Sequence, residues 1–152
     1  MTRIRRARIN DVGAIVRMGC RFIAESAYRG LLTPNPAQQE RLTQQLLDNE
    51  HAAVFVVDVA GEVVGMLGIA LVVSPIAGEL VGTEVAWWVD PEFRGGSAGV
   101  RLWAAAEQWA EDQGAIWIQM SAPAGNDVVR RMYRKAGYSE LETTFQKRLR
   151  AA

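Results

Sequence analysis

The chain has 152 residues, with 17 basic and 17 acidic side chains and a formal net charge of zero. A neutral chain has no overall basic field to attract nucleic acid, so the cluster of Arg3, Arg5, Arg6 and Arg8 is expected to be a solvated or edge-strand feature. No apolar run approaches the length of a membrane helix, and no hydrophobic leader begins the chain. We therefore expect one cytoplasmic domain over residues 1–152 with neither a nucleic-acid nor a membrane partner.

The first third of the sequence predicts one strand and two helices. The strand covers residues 4–8, and the first helix covers 12–26 with Asn10 or Asp11 as its cap. Prolines break the loop 28–36, and a second helix follows over 37–49. Cys20 is the only cysteine, which excludes an internal disulfide and a cysteine metal cluster. We expect it beside the core rather than as a nucleophile, and we expect no metal.

Two long apolar, β-branched runs predict a hairpin that is buried on both faces. They cover Ala52–Val59 and residues 63–73 and are joined at Ala60 and Gly61. The only histidine, His51, stands where the second helix gives way to the first of these strands. Its position at this helix-to-strand junction favours His51 as an exposed residue rather than as a general base.

A third strand, residues 79–89, carries an acidic residue among apolar ones. Strict alternation places Glu84, Ala86 and Trp88 on one face. Two interpretations of Glu84 remain open. It either solvates the start of the strand, or it points into a cleft walled by tryptophan, where desolvation raises its pKa toward the range of a catalytic base.

The strand ends at a glycine-rich turn that leads into an amphipathic helix. Small side chains there let several backbone N–H groups point outward together at the positive end of the helix, which is typical of a phosphate site. An arginine beside them adds a fixed charge whose geometry matches phosphate oxygens. The candidate anion-binding residues are Arg94, Gly95, Gly96, Ser97, Ala98 and Gly99. Ser97 is also a good residue type for the helix cap.

The remaining elements complete an alternating pattern. The helix after the turn is expected to bury Val100, Trp103 and Ala106 and to end at Gln113-Gly114. A strand over 116–120 and a loop over 121–125 precede a helix that starts at Asn126 or Asp127 and stops at Gly137. From residue 139 onward apolar and polar side chains alternate, which predicts a half-buried terminal strand.

Two motifs in these elements resemble the GNAT superfamily of N-acetyltransferases. The first is the run from Val89 to Gly99, of the form V-x-P-x-F-R-G-x-S-x-G, which is similar to the family's acetyl-CoA loop. Ser97 departs from the pattern, because the family usually has glycine there. The second motif has the form N-x6-Y-x-K-x-G-Y and runs from Asn126 to Tyr138. It looks like the final helix of the family.

The resemblance implies an α/β fold, namely a mixed, largely antiparallel central sheet with helices on both faces. It implies acetyl-CoA as co-substrate, with its pantetheine arm along the backbone of Trp88 and Val89 and with Asn126 either bonding that arm or capping the helix. Tyr133 is implied as the acid that protonates the departing thiolate, and Glu84 as the base. A phenol of pKa about 10 is a competent donor to a thiol of pKa about 8.5.

The same resemblance leaves the acceptor open. Tyr28 and Arg29 of the first interhelical loop are either acceptor contacts or plain surface residues. The acceptor itself is a small-molecule or peptide amine. The alternative function is a non-catalytic acyl-CoA sensor on the same fold. Nucleotide-binding alternatives are disfavoured because neither G-x-G-x-x-G nor a G-K-[ST] ending is present. An exposed terminal strand would allow a homodimer.

Overall fold

The computed structural model describes residues 1–151. Within that range the chain forms four α-helices and five β-strands, together with two short 3₁₀ turns. The strands are β1 (Thr2–Arg6), β2 (Ala52–Val59), β3 (Glu62–Val73), β4 (Leu80–Val89) and β5 (Trp117–Gln119). The helices are α1 (Val12–Glu25), α2 (Pro36–Asp48), α3 (Ala98–Asp112) and α4 (Asp127–Lys135). None of the helices in this range is long and apolar enough to cross a membrane.

The strands form a single sheet in the order of the sequence, β1-β2-β3-β4-β5. The first four pair antiparallel, while β4 and β5 pair in parallel through Val81, Gly82 and Thr83. One apolar cluster fills the face covered by α3 and α4, and a second fills the face covered by α1 and α2. The mixed, largely antiparallel sheet with helices on both faces is therefore confirmed.

The β2–β3 hairpin is the centre of both clusters. Residues 52–57 of β2 and 63–69 of β3 are buried, as the two β-branched runs predict. Ala60 and Gly61 connect the strands with φ angles of 52° and 92°. Positive φ at both central residues is the condition of a tight type I′ turn, whose twist matches that of the flanking strands. His51 precedes β2 with its side chain 67% exposed, which agrees with an exposed junction.

The buried stripe of α3 differs from the predicted one at a single position. Val100 is 42% exposed, so its predicted burial was wrong. Ala98, Leu102, Ala106 and Ala110 recur every four residues and define the face on the sheet, whereas Val100 lies about 200° around the helix from Ala98. Trp103 is buried beside that stripe, as expected.

The predicted terminal strand is absent from the described residues. Residues 139–149 adopt no regular structure, and Leu141, Phe145 and Leu149 are 62%, 88% and 86% exposed. An alternating pattern supplies one apolar face, but a strand also needs a neighbouring strand to pair with. The edge strands of the sheet are β1 and β5, and neither pairs with residues 139–149. The expected half-buried strand was therefore wrong.

The arginines of β1 are divided between solvent and an internal ion-pair network. Arg5 donates from Nε to Asp58 at 2.8 Å and from its two terminal nitrogens to Asp11 at 2.7 and 2.9 Å. The Arg5 hydrogen bonds are the main cause that lowers the pKa of the Asp11 carboxyl. Asp11 is the N-cap residue of α1, as predicted, but its side chain makes no hydrogen bond to the helix. The carboxylate instead ties α1 to the edge of the sheet.

Candidate active site

The glycine-rich turn leaves β4 through a short 3₁₀ turn and enters α3 at Ala98. Gly95 has a φ of +83°, a conformation that other residues adopt only with strain. Gly99 packs so closely on Trp87 that an added Cβ would lie 3.1 Å from the indole ring. Gly96 has neither constraint, because a Cβ there would project into open space. The fold therefore explains two of the three glycines and leaves room beside the third.

The turn presents a row of free donors. Within residues 1–151 no backbone or side-chain acceptor receives the N–H groups of residues 95–99. The first intramolecular bond of α3 runs from Arg101 N to Ser97 O at 2.9 Å. Ser97 is the N-cap residue of α3, as expected, but it has helical backbone angles and its side chain makes no capping hydrogen bond. Five consecutive donors at the positive end of a helix suit a multiply charged anion.

Arg94 is held beside this row by two contacts. Its Nε donates to the Val89 carbonyl at 2.7 Å, and its guanidinium lies 4.4 Å from the centre of the Trp88 ring. Stacking on an aromatic face fixes the plane of a guanidinium and leaves its edge nitrogens available for other acceptors. The charge predicted from the sequence is therefore a fixed one, mounted on the last residues of β4.

An open strand edge adjoins the turn. The β4–β5 ladder ends at the pair Thr83 and Gln119, so the rest of β4 has no partner on that side. Asp90 N bonds Val64 O at 2.8 Å, and because peptide groups alternate in direction along a strand, those of Val89 and Trp87 face the open edge. The peptide of Trp88 faces β3. The prediction that backbone groups of Trp88 would contact a cofactor arm does not fit this geometry, whereas that for Val89 does.

A β-bulge turns Glu84 toward α3 and α4. Gly68 pairs with Ala86 and the next residue, Ile69, pairs with Glu84, so Val85 is an extra residue in β4. Paired residues share a face, and Ile69 belongs to the cluster beneath α3. The strict alternation that placed Glu84 on the face of Trp88 was therefore wrong. Glu84 instead shares its face with Trp87.

Glu84 is half-buried and bonded to the segment after β5. Its Oε2 accepts a hydrogen bond from Ser121 N at 2.9 Å. Burial raises the pKa of the Glu84 carboxyl to about 7, and the Ser121 N–H partly opposes that rise. A carboxyl with this pKa exchanges protons near neutrality, which is the range of a general base. The geometry favours the cleft interpretation of Glu84 over the solvated one.

Tyr133 of α4 approaches the same point from the other side. It is 6% exposed, and its hydroxyl donates to Ser121 O at 3.1 Å. The ring packs within a group of aromatic side chains, with centroid distances of 5.4 Å to Trp103 and 5.3 Å to Tyr138. Burial raises the pKa of the Tyr133 hydroxyl, and the nearby charge of Glu84 raises it further. Tyr133 therefore keeps its proton at neutral pH.

The other candidate residues form no hydrogen bond with this pair in residues 1–151. Asn126 caps α4, with its Oδ1 accepting from Val129 N at 3.2 Å. Tyr28 is 46% exposed and packs on Phe22 with a centroid distance of 5.5 Å. Arg29 is exposed in the same interhelical loop. The structure thus brings Glu84, Tyr133 and the glycine-rich turn to one edge of the sheet, and it leaves Tyr28 and Arg29 beside α1.

Two residues of this region were missed in the sequence. Asp90 is 5% exposed and accepts hydrogen bonds from Arg21 at 2.9 Å, from Arg17 at 3.0 Å and from Trp88 Nε1 at 3.0 Å. Beside Pro91 it reads only as a strand stop, and no sequence signal reveals its partners. Ser121 acts through its backbone, which no residue pattern reports. Residues 1–151 contain no group of three or more side chains arranged to hold a metal ion.

A family model described as the acetyltransferase (GNAT) family matches residues 21–138. A curated relative, the aminoglycoside N(6')-acetyltransferase type 1 of Stenotrophomonas maltophilia, is 29% identical over 106 residues, which cover 68% of this chain and 69% of the relative.

Solved structures match the fold over nearly the whole chain. A transcriptional regulator from Bacillus halodurans C-125 superposes with a TM-score of 0.82 at 19% identity, covering 98% of this chain and all of that one. The AAC(6')-Iy complex with the bisubstrate analog CoA-S-monomethyl-acetylneamine superposes with a TM-score of 0.77 at 18% identity, covering 99% of both chains. At these identities the likeness is one of fold.

Proposed function

Because the chain belongs to the acetyltransferase (GNAT) family and is an acetyl-CoA-dependent N-acetyltransferase, we propose that it transfers the acetyl group directly to a primary amine, with Glu84 as base and Tyr133 as acid. The observation that carries this proposal is the meeting of both side chains at Ser121, beside the open edge of β4. The donor-rich turn at the end of the same strand supplies the anion site that the co-substrate requires.

The co-substrate would lie along β4. The free N–H groups from Gly95 to Gly99 suit its pyrophosphate, and the guanidinium of Arg94 stands beside them. The peptide of Val89 faces the open edge, where its N–H suits a carbonyl of the pantetheine arm or of the thioester. The side-chain amide of Asn126 has a free N–H₂ group besides its capping oxygen and remains a candidate contact for the same arm.

The two titratable groups divide the proton transfers between them. An alkyl amine has a pKa near 10.4 and is mostly protonated at neutral pH, so Glu84 in its ionised form takes the proton from the nitrogen, directly or through water. The nitrogen then attacks the thioester carbonyl, the carbon–sulfur bond breaks, and the new amide nitrogen releases its second proton to solvent. Glu84 also returns its proton to solvent before the next turnover. Tyr133 donates its phenolic proton to the leaving sulfur, and it regains a proton from solvent before the next turnover.

The acceptor is proposed to be a small-molecule amine, since the curated relative is an aminoglycoside N(6')-acetyltransferase. The segment of residues 26–35, which contains Tyr28 and Arg29, has no carboxylate. A polycation is usually held by several carboxylates, so simple monoamines belong in the acceptor screen alongside aminoglycosides. A peptide amine completes the panel, because its α-amine, with a pKa near 8, depends less on a base.

A calorimetric titration with acetyl-CoA tests the cofactor site. We expect saturable one-to-one binding to the wild type and an affinity at least about tenfold lower in Gly96→Val, because the added side chain would occupy the open space beside the donor row. Gly13→Val is the matched control, since its Cβ also meets nothing within 4 Å but lies on α1. Equal affinity in wild type and Gly96→Val would contradict the placement of the pyrophosphate at this turn.

Replacing Tyr133 with phenylalanine tests the acid. We expect turnover to fall about 10- to 100-fold while the affinity for acetyl-CoA stays nearly intact, because only the phenolic proton is lost. The lost bond to Ser121 O should lower the free energy of unfolding by about 1 kcal/mol. Tyr138→Phe is the control, because that hydroxyl donates instead to Glu107 of α3. Unchanged turnover in Tyr133→Phe would remove Tyr133 from the mechanism.

A further inference from the structure

The two candidate catalytic side chains converge on one residue that belongs to neither of their elements. Glu84 projects from β4 and Tyr133 from α4, and they lie 49 positions apart in the sequence. Glu84 Oε2 accepts from Ser121 N at 2.9 Å, and Tyr133 OH donates to Ser121 O at 3.1 Å. Both backbone groups of Ser121 are therefore used, one for each side chain.

We infer that Ser121 is a positioning residue. Its backbone N–H and C=O groups fix the side chains of the candidate base, Glu84, and the candidate acid, Tyr133, relative to each other. The inference rests on the proposed roles of Glu84 and Tyr133, and it concerns the backbone of Ser121 rather than its hydroxyl. The contact occupies Oε2 of the carboxylate, so Oε1 is the oxygen that would take the proton of the acceptor amine. It also fixes the direction of the phenolic O–H.

The position of Ser121 follows from the way the sheet opens. The parallel ladder between β4 and β5 ends at Thr83 and Gln119. Glu84 is the next residue on one strand, and Ser121 stands two residues past the end of the other. Where the strands diverge, the Ser121 N–H no longer has a backbone acceptor across the gap, and the Glu84 carboxylate supplies one. The Glu84 side chain thus bridges β4 and the segment after β5 at the point where the two strands diverge. The bulge at Val85 is what turns the side chain in that direction.

The groups that face Glu84 make this contact its main stabilising interaction. The titratable neighbours are the hydroxyls of Tyr133 and Tyr138, and Tyr138 is itself bonded to Glu107 of α3. The paired residue on β3 is Ile69, which is apolar. No cation of residues 1–151 forms a salt bridge with Glu84. A hydrogen bond donated to the ionised carboxylate favours that form, which is the form a base requires.

The amide resonance of Ser121 tests the contact in the intact protein without substrate. In a nitrogen–proton correlation spectrum recorded from pH 5 to pH 9, we expect the Ser121 amide signal to follow one titration with a midpoint near 7, the pKa of Glu84. In Glu84→Gln the same signal should stay flat, while it should still titrate in Tyr133→Phe. A Ser121 amide that does not move with pH in the wild type overturns the inference, even where Glu84→Gln is inactive.

A kinetic comparison then separates positioning from folding. Ser121→Pro removes the N–H and keeps the carbonyl, so the pKa of Glu84 should rise and the midpoint of the kcat/KM profile should move up by about one pH unit. The KM for acetyl-CoA should change less than twofold. Ser121→Ala keeps both backbone groups and should keep the wild-type midpoint. An equal loss in Ser121→Pro at every pH, without a shifted midpoint, counts against positioning.

The two levels of failure are distinguishable. A titrating Ser121 amide combined with a fully active Glu84→Gln variant would defeat the proposed role of Glu84 and, with it, the catalytic meaning of the contact. A flat Ser121 amide combined with an inactive Glu84→Gln variant would defeat only the assignment of Ser121 and would leave the proposed base in place.

Discussion

Glu84→Gln is expected to reduce kcat/KM by about 100-fold or more near pH 7, because the amide cannot accept the proton of the acceptor amine. In the wild type the rate should rise with pH through a midpoint of about 7, where the Glu84 carboxyl ionises. In the variant that limb should disappear, and the rate should follow the neutral fraction of the amine alone. The difference between the two proteins should therefore narrow toward pH 9. Steady-state kinetics from pH 6 to pH 9 measure it.

The same substitution should stabilise the protein at alkaline pH. The folded-state pKa of Glu84, about 7, lies above the unfolded value of about 4.3, so the native state binds this proton more tightly. Stability is then lost as the pH rises from about 4.3 to about 7, and the loss persists above 7. Glutamine has no such loss. With an allowance for the half-exposed position, Glu84→Gln should gain about 1–2 kcal/mol at pH 8 and almost nothing at pH 4.5.

Glu79→Gln is the matched control for both measurements, because Glu79 is exposed just before β4 begins. Its pH–rate profile and its free energy of unfolding should stay within error of the wild type. A Glu84→Gln profile that runs parallel to the wild-type profile would show that another group acts as the base.

Asp90→Ala is expected to lower the free energy of unfolding by about 2–4 kcal/mol. The carboxylate is nearly fully buried and receives hydrogen bonds from Arg17, Arg21 and Trp88. Its removal leaves the indole N–H without an acceptor and Arg17 without its counter-charge, while Arg21 loses one of its two carboxylate partners and keeps Glu25. The arginine side chains are 44% and 32% exposed, which moderates the effect because water solvates them in part. Urea unfolding monitored by tryptophan fluorescence measures the loss.

Two further variants define what Asp90 contributes. Asp48→Ala removes an exposed aspartate from α2 and should stay within about 0.5 kcal/mol of the wild type. Asp90→Asn keeps an acceptor for Trp88 and should fall between wild type and Asp90→Ala. Because Arg94 stacks on Trp88, Asp90→Ala should also weaken acetyl-CoA binding. Wild-type stability in Asp90→Ala would mean that the arginines find equivalent partners in solvent.

The sequence predicted the elements better than the directions of their side chains. Hydrophobic period, glycine and proline positions located every helix and strand that the structure shows, within a few residues. The face of Glu84 was beyond reach, because one extra residue at Val85 reverses the alternation and no residue type announces a bulge. The alternation of apolar and polar residues from residue 139 onward led to the wrong prediction of a terminal strand. Such a pattern indicates which side chains would be buried in a strand, but not whether a neighbouring strand is available for pairing.

The candidate site shows the same division. Glycines, Arg94 and Tyr133 are visible because side-chain identity, or the lack of a side chain, is what matters at those positions. Ser121 is invisible because its contribution comes from the peptide group that every residue has. Asp90 was read as the end of a strand, since its importance depends on arginines that lie about 70 residues earlier.

The short ladder between β4 and β5 affects which part of the molecule opens locally. Three residue pairs join β5 to the sheet, whereas β3 and β4 pair along almost their full length. Segments held by so few backbone bonds open locally at a small fraction of the global unfolding free energy. Tyr133 follows β5 in the chain, while the donor row of residues 95–99 follows β4. A ligand that contacts both Tyr133 and the donor row would reduce local opening of β5 and α4. On its binding, amide hydrogen exchange should therefore slow far more in β5 and α4 than in β2 and β3.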